Sequence, residues 1–366
     1  MLVVVRAWIA CGAIILSGCA ARVEPTLTVV AAAPDARLIP VFVATTRVPD
    51  ARSPATFTTG RAREVSYARY VVSVPPGHKA GEIEASQTAR PDPAKSFAIV
   101  DATRLDETSF YRQVLKAKEA GKPISRLGVF VHGYNYTFEE SLFRRAQLAV
   151  DSHFGGPAFV FAWPSAASPT AYAADRDAST LSRDGLAKTL ERLTDDPALR
   201  VSVFSHSLGS GLTMEALRDL RLTGRGRTVD RLEQVVFAAP DIDVDLFVEQ
   251  LETVGQLKSP LVVLTSKDDG ALSFSSALAG GRLRVGNTDV EDPKVQSGAR
   301  RFNVSVIDIS QLNKADGVGH GRYAAMAALY PKLRSQLNAR SSIASKAGAF
   351  VFNLARDEIR PIASAR

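Results

Sequence analysis

Arg200-Val-Ser-Val-Phe-Ser205-His206-Ser207-Leu208-Gly209 joins a β-branched apolar run to an amphipathic stretch reaching from Leu208 to Leu220. A short buried run that passes directly into helical periodicity predicts a strand, a tight turn and a helix. A serine at the apex of such a turn is presented as a nucleophile. Its flanking positions must be small, so that strand and helix can pass closely. Gly209 meets that requirement, and Ser205 stands where a glycine is usual. Ser-x-Ser-x-Gly alone recurs by chance; its place between strand and helix gives it meaning. The competing reading is a serine-rich turn in which Ser207 only caps the helix.

Outward from this turn, apolar runs and helical patterns alternate. Early strand candidates are Ile39–Arg47, Tyr70–Val74 and Phe97–Asp101. A more regular series follows at Leu127–Val131, Ala158–Trp163, Val201–Ser205, Gln234–Ala238, Leu261–Thr265 and Phe302–Ile309. The later runs are nearly continuous in apolar residues, as strands covered on both faces require. Thr137-Phe-Glu-Glu140 is a capping box opening a helix with Phe138, Leu142, Ala146, Ala149 and Val150 on one face. Leu186, Leu190 and Leu193 mark a second helix, Leu208–Leu220 a third and Val244–Val254 a fourth. This alternation predicts one α/β domain over residues 38–335, a mostly parallel, doubly wound sheet flanked by helices. Residues 336–366 read as a loosely docked tail.

The other parts of a nucleophilic site lie at predicted strand ends. Gly128-Val-Phe-Val-His132-Gly133-Tyr134-Asn135 is a strand running into His-Gly, suited to offering a backbone amide to a developing oxyanion. The amides of Tyr134 and Leu208 are the candidate pair, and His132 is expected to hold the loop. Of the five histidines, His320 alone follows Ser207, as the chain order nucleophile, acid, base demands. It sits between glycines in Gly317-Val-Gly-His320-Gly-Arg-Tyr323. For the acid, Asp269 follows the strand ending at Thr265, with Asp268 as helix cap or second choice. Asp241 and Asp243, after the preceding strand, are the remaining alternatives.

These segments, taken with Val43-Ala-Thr-Thr-Arg47, Val72-Ser-Val-Pro75, His78, Gly81-Glu-Ile83, Phe161-Ala-Trp-Pro-Ser165, Tyr172, Asp175, Ala239-Pro-Asp-Ile-Asp243 and Asp269-Gly-Ala-Leu272, resemble a bacterial α/β-hydrolase family of the esterase/lipase superfamily, domain of unknown function 900. The resemblance spans roughly residues 38–332. It implies an α/β-hydrolase fold with a Ser-His-Asp triad, and its Asp-x-Ala-Leu block favours Asp269 as the acid. It implies no substrate. Trp163-Pro164 is expected to end a strand and wall the site, Asp175 to sit at a helix start, and Arg47 to form a structural ion pair. About twenty residues separate Ala239 from Leu261, room for one helix and no inserted lid, which predicts an open site. The expected reaction is hydrolysis of carboxylic esters or thioesters, small or lipid-like, through an acyl-enzyme on Ser207. A peptidase or amidase on the same triad, or a non-catalytic envelope lipoprotein using the fold as a binding platform, are the alternatives.

The first residues read as an address. Arg6, an apolar run from Ala7 to Leu16, and Leu16-Ser-Gly-Cys19 make a signal peptide over 1–18 ending in a lipobox-like tetrapeptide. Cys19 is the lipidation candidate, followed by a tether over 19–37. With Ala20 next, the resemblance to lipoproteins points to the bacterial outer membrane, facing the periplasm. The chain has 366 residues, 46% hydrophobic and 23% charged, which excludes disorder throughout. Its net charge of +7 comes without basic runs interleaved with aromatics, so nucleic acid is not an expected partner. No Cys/His cluster has metal-ligand spacing and no Gly-rich phosphate loop follows a strand, so no cofactor or metal is expected.

Overall fold

The apolar runs become the middle of one eleven-stranded sheet in the computed structural model, which describes residues 27–362 apart from 52, 54, 120–121, 153–155, 313–317, 328, 330–346 and 354–357. The expected signal peptide and Cys19 lie outside the described residues. The strands are β1 (Arg37–Pro49), β2 (Phe57–Val74), β3 (Ala98–Leu105), β4 (Arg126–Val131), β5 (Ala158–Ala162), β6 (Arg200–His206), β7 (Leu232–Ala238), β8 (Leu261–Thr265), β9 (Val304–Asp308), β10 (Gly348–Asn353) and β11 (Glu358–Pro361). Their order is β11-β10-β9-β8-β7-β6-β4-β5-β1-β2-β3. Neighbours from β1 to β10 run parallel, while β2 and β3 at one edge and β11 at the other are antiparallel. The sheet is therefore doubly wound and mostly parallel, as the alternation predicts.

Helices cover both faces: α1 (Glu107–Lys116), α2 (Phe138–Ser152), α3 (Tyr172–Leu181), α4 (Arg183–Thr194), α5 (Leu208–Leu222), α6 (Gly226–Arg231), α7 (Val244–Val254), α8 (Gly270–Leu278) and α9 (Pro293–Arg301). The reason is visible in β5. Phe159 and Phe161 enter one core with Leu186, Leu190 and Leu217. Ala158, Val160 and Ala162 enter the other with Phe138, Leu142 and Ala146. Burying a large apolar side chain contributes about 1.5–3 kcal/mol, so a strand apolar on both sides is stable only between two helical layers. The capping box forms as read: Glu140 N–H donates to Thr137 Oγ1 at 3.1 Å and Thr137 N–H to Glu140 Oε2 at 3.0 Å. Between β7 and β8 there is the single helix α7, with no inserted domain.

Two expectations need correction. Residues 348–361, read as part of a tail, add β10 and β11 to the sheet, with Phe350 and Phe352 buried. Pairing with β9 across some forty residues of chain leaves no local signal beyond a short apolar alternation. Likewise, the last part of the expected tether is docked. Val29 bridges Ile99, Val30 N–H donates to Ile99 O at 2.9 Å, and Val30 is buried. Helices α8 and α9 are short, and each buries few residues: Leu272 and Ser275 in one, Gln296 and Ala299 in the other.

The tightest steric requirement lies between β4 and α5. A Cβ added at Gly209 would strike the carbonyl oxygens of His132 and Val131, 2.7 Å from the latter. Gly209→Ala is therefore expected to destabilise the fold by about 1–3 kcal/mol, the usual range for overpacking. Thr137→Ala, which removes one cap, should cost about 1 kcal/mol. Denaturant unfolding of both variants beside the parent checks the ranking.

Candidate active site

Ser207 follows β6 at φ 53°, ψ −125° and opens α5. Positive φ is costly for a residue with a Cβ and persists only where the surroundings enforce it. Of six described non-glycine residues at positive φ, four (Asn135, Ala167, Ser207 and Ala239) follow β4, β5, β6 and β7, along one edge of the sheet. Close packing enforces the Ser207 turn. Ser207 N–H donates to Ala238 O at 3.0 Å, Asp241 N–H to Ser207 O at 3.3 Å, and a Cβ at Gly133 would lie 2.9 Å from Ser207 Cβ.

Asp269 ends the loop after β8 and does two jobs. Its Oδ1 accepts the Leu272 amide at 3.0 Å, capping α8, and its Oδ2 lies 2.8 Å from His320 Nδ1. The carboxylate is fully buried; the imidazole keeps 16% side-chain exposure. One residue earlier, Asp268 takes a fork from Arg322 at 2.8 Å on each oxygen. Consecutive carboxylates thus receive residues 320 and 322, which locks the histidine loop to the β8 loop. The expected helix cap, Asp268, is not the cap; Asp269 is. The other candidate acids are engaged elsewhere. Asp243 caps α7 and binds Arg282. Asp241 accepts Tyr172 Oη at 2.8 Å and Ser275 Oγ at 2.6 Å and faces Arg284 at 3.3 Å.

The structure joins Asp269 to His320 and brings the His320 ring within 4.5 Å of the ring of His206, the residue before Ser207. No hydrogen bond joins the Ser207 hydroxyl to His320. Such contacts are often long before substrate binds. Among the described residues, nothing accepts from the backbone N–H of Leu208 or of Tyr134. The first is an orphan helix amide by position. The second lies in a loop fixed by Asp175, which accepts Asn135 N–H at 3.2 Å, Ser165 Oγ–H at 2.6 Å and Ala166 N–H at 2.7 Å. Sequence reasoning placed Asp175 at a helix start but missed this role, since its partners lie 9 to 40 residues away.

His132 holds the loop, as expected. Its ring is buried against Trp163 at 4.9 Å, with its nitrogens facing the Gly133 and Trp163 carbonyls. Burial, aided by the charge of Arg47, lowers its pKa to about 3. Burial and the neighbouring His320 push the pKa of His206 well below the usual imidazole value. Arg47 is also buried and donates to the carbonyls of Tyr136 and Thr58; burial lowers its pKa to about 10, with Glu139 and Asp175 partly offsetting the shift. Lid-free is not the same as open here. Ser207 is only 3% exposed, because the His132–Asn135 loop packs directly on it. Among the described residues no group of three or more His, Cys, Asp or Glu could hold a metal ion. No described helix is long and apolar enough to cross a membrane.

Comparison with known proteins gives the family. The model of the family described as alpha/beta hydrolase of unknown function (DUF900) matches residues 107–339. A search of curated proteins finds no match.

The two buried imidazoles make stability depend on pH. They are neutral in the fold, whereas an exposed imidazole titrates near 6.5, so acid protonates the unfolded chain first. Stability is expected to be highest above pH 6.5 and to fall as the pH drops below it, with His132 contributing up to about 1.4 kcal/mol per pH unit down to about 3 and His206 adding in the same direction. Urea midpoints between pH 7.5 and 4.5 measure the slope, which should be shallower in His132→Gln.

Proposed function

This chain belongs to the DUF900 family of α/β hydrolases, and is a hydrolase; from its site we propose that it cleaves carboxylic esters or thioesters through an acyl-enzyme on Ser207. The observation carrying this is the 2.8 Å bond between buried Asp269 and His320 Nδ1, formed at the sheet edge where the Ser207 turn also lies. A carboxylate on Nδ1 orients the imidazole and stabilises its cationic form, leaving Nε2 as the basic atom.

In the proposed reaction, Ser207 Oγ attacks the carbonyl carbon and its proton passes to His320 Nε2. The amides of Tyr134 and Leu208 donate to the oxyanion, each contributing on the order of 3 kcal/mol. On collapse, the alcohol or thiol leaves with the proton from His320. Water, deprotonated by the same nitrogen, then attacks the acyl carbon and releases the acid and Ser207. The unengaged state of both amides supports this assignment, and the engagement of Asp241, Asp243 and Asp268 elsewhere supports Asp269 as the acid. Processing before Cys19, with lipid attachment there, would present the domain at the cell envelope facing the periplasm.

A fluorophosphonate probe should label the folded protein at Ser207, and Ser207→Ala should remain unlabelled. With chromogenic esters of increasing acyl length, Ser207→Ala and His320→Ala are expected to lose at least about 10³-fold in kcat, with Asp269→Asn also strongly impaired. Turnover of peptides but not esters would overturn the leaving-group assignment. Folded protein that resists the probe would leave a binding platform. For the anchor, radiolabelled palmitate should enter the wild-type chain and not Cys19→Ala.

A further inference from the structure

We infer that His206 is a positioning residue: it fastens the main chain of His320 to the strand that carries Ser207, setting the distance between nucleophile and base. This rests on the proposed roles of Ser207 and His320. His206 ends β6, where register with Ala238 of β7 holds its backbone. Its ring is buried, with its centroid 4.5 Å from that of His320, 4.4 Å from that of Tyr323 and 6.2 Å from that of Tyr136. Its Nε2 lies 3.3 Å from the carbonyl oxygen of His320. A carbonyl only accepts, so Nε2 carries the hydrogen.

The other nitrogen makes the case. Nδ1 of His206 is buried with no hydrogen-bond partner. It faces Gly133, where an added Cβ would stand 2.8 Å away. A buried lone pair without a donor is unfavourable, and a purely apolar ring would fill the space without that penalty. The imidazole is therefore accounted for by what Nε2 does. The bond to the carbonyl by itself favours protonation, but burial, first of all, and then the neighbouring His320 and Arg144 outweigh it and hold the ring well below the usual imidazole pKa.

His320 needs such a tether. It lies between Gly319, at φ 84°, and Gly321, in a loop held from the β8 side by Asp269, by the Gly270 amide on Val318 O, and by the Arg322 fork. Among the described residues, the His206 bond is the one hydrogen bond that reaches the His320 main chain from the nucleophile strand. It ties the base to the residue adjoining Ser207. Three residues on, the Tyr323 ring packs on Phe204 of the same strand, 5.6 Å between centroids, so what the His206 bond adds is a hold on the backbone of residue 320 itself.

The test compares His206→Phe, which keeps a flat ring and loses the donor, with His206→Gln, whose amide can place a nitrogen near Nε2. Two readouts are taken on the full-length protein: the rate of fluorophosphonate labelling, and the downfield NMR resonance of the His320 Nδ1 proton bonded to Asp269. The Phe variant should label about tenfold more slowly, the worth of one ordinary hydrogen bond, with that resonance broadened or shifted. The Gln variant should recover most of both. With a chromogenic ester the Phe loss should fall on kcat and leave KM within about twofold. If the Phe variant does not fold, His206→Asn, too short to reach the carbonyl, takes its place. Wild-type labelling and an undisturbed resonance in the donorless variant would overturn the inference, as would equal impairment of both variants. Should wild-type protein resist the probe, the triad reading fails separately, and the resonance still decides whether His206 holds His320.

Discussion

The backbone of Ser207 is held at φ 53° by packing that leaves no room for a side chain at Gly209 or Gly133. The remaining geometry follows from that squeeze. Where α5 starts hard against the carbonyls of β4, the Leu208 amide meets no acceptor among the described residues. Because the His132–Asn135 loop lies on Ser207, the Tyr134 amide comes to the same edge. Strain at one residue is sustained by two apolar cores that clamp the parallel strands from both faces.

A second constraint is electrostatic. The buried Asp269 carboxylate accepts from a helix amide on one oxygen and meets the imidazole with the other. The cap fixes the carboxylate, and the carboxylate fixes the ring. The Asp268–Arg322 fork repeats this connection two residues along, so the loop bearing His320 is fastened at two points and cannot rotate freely about one. On the opposite flank, Asp241 is engaged by the hydroxyls of Tyr172 and Ser275 and faces Arg284, whereas Asp269 meets His320.

Much of the histidine chemistry here is played with neutral rings. His132 and His206 are both buried and depressed in pKa, one holding a loop through carbonyl contacts, the other reaching the main chain of His320. Only His320 retains access to solvent among these three. Burial thus separates the one partly exposed imidazole from the two enclosed ones, though all three lie at one rim.

The sequence by itself determined the alternation of strands and helices, the turn at Ser207 and the capping box at Thr137, and it singled out His320 as the candidate base. These are local or order-based signals: apolar periodicity, small residues around a serine, and a single histidine downstream of it. It narrowed the acid to four aspartates. The family resemblance favours Asp269 among them, and the tertiary structure adds what engages the others: partners such as Arg322, Arg284 and Tyr172, dozens of residues away along the chain. The same holds for Asp175 beneath the Asn135 loop, for the docking of β10 beside β9, and for His206, which chain order alone excludes as the base. Each of these depends on who stands opposite whom across the sheet, and a linear pattern records periodicity and order but no opposite face.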